Sequence, residues 1–208
     1  MRRQMMGFKL RFLSWWTPKK FQKKGLDELA KYTISGLDKL VDDSENSDAK
    51  CDKASAIVLT GNIEERRRDM AIIHNEKTEE LIKALGHEHA MELGYKTMFN
   101  EGLLLGKKFR KLLGVGNSLE DLITAAKILY KVLGIEFRVK EYENGMCLVV
   151  NHCSLSKYYT SDTCKVLSGA DEGVVQGLNP HIKMNFTERM TDGASCCMAS
   201  IQFEDDAK

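Results

Sequence analysis

IEFRVKEYENGMCLVVNHC, residues 135–153, is the stretch whose reading decides the fold. Ile135, Phe137 and Val139 alternate with Glu136, Arg138 and Lys140, the period of two that sends successive side chains to opposite faces of a strand. Glu143-Asn144-Gly145 supplies turn chemistry, and Met146 to Cys153 returns as the second strand of a hairpin. A second hairpin follows, Ile182 to Arg189 and Ser195 to Phe203, turned by Thr191-Asp192-Gly193. Between the two, Asp162 to Gly177 has helical spacing.

Upstream of residue 135 the apolar period is helical throughout. Leu26, Leu29, Ala30, Ile34, Leu37, Leu40 and Val41 form one amphipathic stripe that ends before Asp42. Asn62 with Glu65 three positions on predicts a capping box, opening a helix that runs to about Leu85 and stops at Gly86. A long helix is expected from His87 to Leu113. Gly94, Gly102 and Gly106 lie inside it, each costing up to ~1 kcal/mol of helix propensity, so another backbone or a ligand is expected to come close there. Ser118 with Asp121 predicts a further helix, closed by Gly134. The fold class is α+β: N-terminal helices packed on a C-terminal four-stranded antiparallel sheet with one intervening helix.

The chain divides by composition into a basic aromatic arm (residues 1–24), an amphipathic helix with the acidic linker DDSENSDAK (25–50), and an α+β domain that bears the cysteines (51–208). The arm has eight basic residues and no acid, interleaved with Phe8, Phe12, Trp15, Trp16 and Phe21. Either its aromatics fold back onto the domain while the lysines stay in water, or Arg11, Trp15, Trp16, Lys19 and Lys20 dock onto a larger protein complex. Membrane contact is at most peripheral. With 208 residues and a formal net charge of +1, the field of the whole chain gives no reason to expect nucleic acid as a partner. No signal-peptide pattern and no run of ~20 apolar residues is legible, so a cytoplasmic location is expected. In that reducing compartment six cysteines read as free thiols, metal ligands or redox groups.

Cys51 and Cys147 read as a surface thiol and a small core residue. Cys153, Cys164 and Cys197 fall at a strand end, a helix start and a strand start, three places that can meet at one rim of the sheet. In the last strand Cys197, Ala199, Ile201 and Phe203 share the apolar face and Cys196 takes the other. Cys164 sits in the first helical turn, where the helix dipole favours its thiolate, which makes it the most reactive candidate. Asp171 interrupts the apolar stripe Cys164, Leu167, Val174, Leu178. The trio is open to three readings: ligands of an iron–sulfur cluster or zinc, a metal-free redox or nucleophilic site, or packed cysteines. C-x10-C followed by C-C lacks the paired knuckles of a zinc finger. His152 and His181 are outlying candidates for a ligand or base; His87 and His89, two apart, cannot share a helical face and read as exposed, and His74 has an equally bland reading.

The segment C-x-x-x-S-G-A-D-E-G-V-V-Q-G-L-N-P from Cys164, the final T-D-G-A-S-C-C-M-A-S-I, in which Gly193 is followed four residues later by Cys197, and the earlier G-Y-K-T-M-F-N-E-G-L-L-L-G resemble two related groups. These are the 4-vinyl-reductase-type small-molecule-binding domain and the L-2-amino-thiazoline-4-carboxylate hydrolase-like family, and the resemblance covers about Ala84 to Phe203. It implies a mixed α/β domain that often forms homodimers, holds a small molecule or metal near its cysteines, and serves redox-responsive regulators in anaerobic archaea. Two functions are therefore expected. One is a redox- or metal-responsive sensing protein that docks onto a partner. The alternative is a small hydrolase in which Cys164 or a metal-bound water attacks a cyclic C–N or C–S bond while Asp171 manages protons.

Overall fold

Alternation along residues 135–203 gives four strands, β1 (Ile135–Tyr142), β2 (Gly145–Cys153), β3 (Ile182–Glu188) and β4 (Cys197–Phe203), in the order β1-β2-β4-β3 with every neighbouring pair antiparallel. The structure, a computed structural model, describes residue 10 and residues 18–45, 59–142 and 145–203. Five helices accompany the sheet among those residues: α1 (Lys19–Glu45), α2 (Ile63–Leu85), α3 (His87–Leu113), α4 (Leu119–Leu133) and α5 (Ser161–Leu178). The α+β arrangement expected from the sequence is the one observed.

Caps set the helix ends where the sequence placed them. At α2 the Asn62 side chain accepts the Glu65 N–H at 3.1 Å while Glu65 accepts the Asn62 N–H at 2.8 Å, a complete capping box. Ser118 accepts the Asp121 N–H at the start of α4, and Gly134 ends that helix in the left-handed region. Thr160 accepts the Thr163 N–H at the start of α5.

Two of the three α3 glycines, Gly102 and Gly106, have the close backbone neighbour that their cost demanded, while Gly94 meets only side chains of Val166 and Leu81. A Cβ at Gly102 would stand 2.1 Å from the Ala170 carbonyl oxygen, and one at Gly173 of α5 would stand 2.1 Å from that of Phe99. Gly106, Gly169 and Gly177 meet backbone atoms across the same seam. The two helices thus pack backbone to backbone, and α5 lies between α3 and β3. The main core, between the sheet's inner face and the helices, contains Leu105, Leu122, Ile128, Leu148, Val150, Leu178 and Ala199.

One expectation is corrected, the end of the first amphipathic helix before Asp42. α1 begins at Lys19 and runs on to Glu45, so it takes in the end of the basic arm and the start of the acidic linker. Pro18 opens it, its carbonyl accepting the Gln22 N–H at 3.0 Å, and nothing in DDSE prevents the helix from continuing. The arm is also tied to the domain: Leu10 is fully buried in the main core and Phe21 packs against it. Of the docking residues expected in the arm, Arg11, Trp15 and Trp16 lie outside the described residues, as does Cys51, and Lys19 and Lys20 are exposed in the first turn of α1. Among the described residues no helix is long and apolar enough to cross a membrane.

Candidate functional site

Cys153, Cys164 and Cys197 do converge. All three line one cavity of about 100 Å³ between the sheet and the helices, together with Asp171, Tyr130, Tyr159, His74 and Arg189; the rest of the wall is mainly apolar. α5 contributes Cys164, Leu167, Ser168, Ala170, Asp171 and Val174, the stripe read from the sequence except that Leu178 continues into the core. Cys196 immediately precedes β4, half-buried and outside the cavity lining, and Cys147 is buried as a small residue in β2.

Two β-bulges at one end of the sheet aim the other polar groups. Phe137 pairs with Val150 and Glu136 with His152, so Asn151 is an extra residue in β2. Without it, alternation from Leu148 and Val150 would turn His152 inward; with it, His152 is exposed and Cys153 faces the cavity. Phe186 pairs with Ala199 and Glu188 with Met198, which leaves Thr187 as the extra residue in β3 and turns Arg189 inward. Neither bulge is announced by a glycine, so Arg189 had no sequence signal.

Burial governs the electrostatics. It pushes the thiols of Cys153 and Cys164 up to about 11, opposed by the Leu155 and Ser156 amides at Cys153 and by the Thr191 hydroxyl at Cys164. It also raises Cys197, against the Met190 N–H that donates to its sulfur at 3.3 Å. Burial thus works against the thiolate expected at Cys164 from its place in the first turn of the helix.

Burial, reinforced by the neighbouring Glu172 charge, raises Asp171 to about 7, against the opposing pull of Tyr130 and Arg189. The Tyr130 hydroxyl stands beside Asp171 without closing a hydrogen bond of standard geometry. Glu172 is engaged elsewhere: it accepts the Phe186 N–H at 3.0 Å and the Tyr95 hydroxyl. Arg189 donates from one terminal nitrogen to Ser168 Oγ at 2.8 Å and stacks over Phe186, but its Nε–H is buried with no partner.

His74, given only a bland reading from the sequence, is a buried member of the same wall. Its Nε2 is 2.8 Å from Thr33 Oγ1 and its Nδ1 2.8 Å from the Tyr159 hydroxyl, and burial lowers it to about 3, so it is neutral. The helical period of α2, with Met70, Ala71, His74, Thr78 and Leu81 all buried, is the signal that could have placed it. His87 is exposed and pairs with Asp162, His89 is exposed, and His181 does not line the cavity. Among the described residues no group of three His, Cys, Asp or Glu side chains is arranged to hold a metal ion, so the trio does not fit an iron–sulfur cluster or zinc as a ready-made ligand set.

No curated protein matches the chain. Among solved structures, a trafficking protein particle complex subunit 3 from Naegleria fowleri, covalently bound to palmitic acid, is similar in fold (TM-score 0.53, 13% identity), covering 67% of this chain and 95% of that one. The phenol-responsive sensory domain of the transcription activator PoxR, with phenol, covers 81% of this chain and 89% of its own at 14% identity and a TM-score of 0.47. The sequence model for L-2-amino-thiazoline-4-carboxylic acid hydrolase matches residues 66–200, which takes in α3, α5, the sheet up to the middle of β4 and most of the cavity wall. With well over half of its length inside that match, the chain belongs to the L-2-amino-thiazoline-4-carboxylic acid hydrolase family.

Proposed function

We propose that the protein binds a small carboxylated ring in this cavity and hydrolyses a cyclic C–N or C–S bond, with Asp171 moving the proton and Arg189 holding the carboxylate. One observation carries the reading: a guanidinium with a buried, unpartnered Nε–H lies in the same cavity as a carboxyl raised to about 7. A buried donor without a partner costs ~1–3 kcal/mol, which an anionic ligand group would return. The amino-thiazoline carboxylate of the family's name has a ring carbon between nitrogen and sulfur, open to attack by water. Ionised Asp171 takes one proton of the water as the oxygen adds to that carbon and the C=N π pair moves onto the ring nitrogen. Protonated Asp171 then gives that proton to the departing sulfur or nitrogen as its bond to carbon breaks, and the remaining hydroxyl proton passes to the ring nitrogen as the carbonyl forms. Thiolate attack is the weaker route because burial keeps all three thiols protonated.

At about 100 Å³ the cavity is smaller than the roughly 150 Å³ engineered cavity that takes up benzene, so the walls must yield to admit such a ring. Incubating the full chain with L-2-amino-thiazoline-4-carboxylic acid and following ring opening by mass spectrometry is the direct test. Absence of turnover by wild type, or turnover that survives Asp171→Asn undiminished, would overturn the assignment.

A second reading, redox-responsive sensing through Cys153, Cys164 and Cys197, is favoured by the meeting of three thiols in one cavity. Reversible oxidation of these thiols by diamide or peroxide, located by mass spectrometry, would support it; thiols that stay unmodified would remove it.

A further inference from the structure

The geometry points to Tyr159 as a fixed hydrogen-bond acceptor in the cavity wall, held in that role by His74 and Thr33, so that the site selects ligands bearing an N–H donor. The inference rests on the reading of the cavity as a ligand site and deepens it.

Hydrogen counting sets the direction. Thr33 has one hydroxyl hydrogen, and its Oγ1 is 2.9 Å from the Leu29 carbonyl and 2.8 Å from His74 Nε2. If that hydrogen goes to Leu29, Oγ1 accepts from an Nε2–H, His74 Nδ1 is an acceptor, and the Tyr159 hydroxyl donates to it at 2.8 Å. All three hydrogens are then satisfied. If instead Thr33 donates to Nε2, His74 must donate from Nδ1 to Tyr159, the Leu29 contact is lost, and the tyrosine hydrogen has no other hydrogen-bond partner among the described residues. Buried groups are arranged to avoid that loss, so the first chain holds.

The consequence lies at the cavity end of the chain. Tyr159 has spent its only hydrogen on His74, and its oxygen can only accept. Among the described residues this hydroxyl has no hydrogen-bond partner besides His74, and Cys153, Cys164 and Asp171 line the same cavity. Thiols are weak donors, so a ligand N–H outcompetes them. With the unpartnered Nε–H of Arg189 lining the same cavity, the wall demands a donor and an anion on one molecule. Thr33 lies outside the residues matched by the family, so this chain completes the relay with its own N-terminal helix.

Two measurements on the full chain test this. Nitrogen-15 NMR of the imidazoles, with His74→Gln to assign the resonance, should show His74 protonated at Nε2 and bare at Nδ1; an Nδ1–H tautomer or an imidazolium overturns the inference. Binding of L-2-amino-thiazoline-4-carboxylic acid is then compared with that of thiazoline-4-carboxylic acid, which lacks the amino donor. Wild type should prefer the amino compound at least tenfold. Tyr159→Phe should bring the ratio close to one, Thr33→Val should do the same by freeing the tautomer, and Thr33→Ser should restore it. A ratio unchanged in Tyr159→Phe overturns the inference. Binding of neither compound by wild type, with the Nε2–H tautomer in place, supports the acceptor wall and overturns the ring-carboxylate reading of the site.

Discussion

Asp171, raised to about 7 by burial, is divided between its two protonation states at neutral pH, and each state has a task in the proposed reaction. Asp171→Asn removes both, and kcat for ring opening should fall ~10²–10⁴-fold with loss of the rise in rate through pH 7. Arg189→Lys keeps the charge but not the fork aimed at a carboxylate, so KM should rise about tenfold or more while kcat changes little. Cys164→Ser separates water attack from thiol attack: with the thiol raised to about 11, kcat should stay within about threefold of wild type, and a loss beyond 10²-fold would make Cys164 the nucleophile. At this scale the sequence showed the polar groups whose faces follow a regular period. Asp171, Cys164 and Cys197 could be placed from helical and strand spacing; Arg189 could not, because Thr187 is an irregularity that only cross-strand register shows. Cys153 was named for its position at a strand end, and it is the Asn151 bulge that turns it inward.

Among the elements, the seam between α3 and α5 is where a single methyl has most effect. Gly173→Ala would put a carbon 2.1 Å from the Phe99 carbonyl oxygen, and neither helix backbone can retreat without opening the seam, so a loss of about 3 kcal/mol or more is expected. At Gly94 the same change meets only side-chain methyls of Val166 and Leu81 at 3.2–3.3 Å, and the gain of up to ~1 kcal/mol in helix propensity offsets most of the crowding. Urea midpoints of the two variants should differ accordingly; equal losses would mean the seam relaxes. Element ends were legible because they are local: Asn62 with Glu65, Ser118 with Asp121, Gly86 and Gly134 each act within one helical turn. The extent of α1 was not, since its ends are set by Pro18 and by packing against α2 and α3, while the charge pattern of the arm and linker suggested a break that the backbone does not make.

Taken whole, the molecule places two titratable groups of opposite habit in one cavity, a juxtaposition that no sequence period could reveal because α2 and α5 meet only in the tertiary fold. Folding raises Asp171 from an ordinary 3.8 to about 7, so the folded chain holds that proton more tightly, and the stability this confers at low pH is lost as the pH rises from about 4 to 7. Folding lowers His74 from 6.5 to about 3, so its contribution is complete above pH 6.5 and is lost as the pH falls toward 3. Between about pH 4 and 6.5 the two slopes oppose each other, each worth up to ~1.4 kcal/mol per pH unit, and they largely cancel. Asp171→Asn leaves the histidine slope alone. The variant should be more stable than wild type at pH 7, by up to about 4 kcal/mol, because a buried carboxylate no longer has to ionise. That advantage should shrink steadily on acidification and vanish near pH 4, where wild-type Asp171 is protonated as well. Urea unfolding of both proteins at half-unit steps from pH 4 to 8 measures the difference, in which all other groups cancel. A difference independent of pH would show that Asp171 is solvated in the folded chain, and its part in the proposed proton transfer would fall with it.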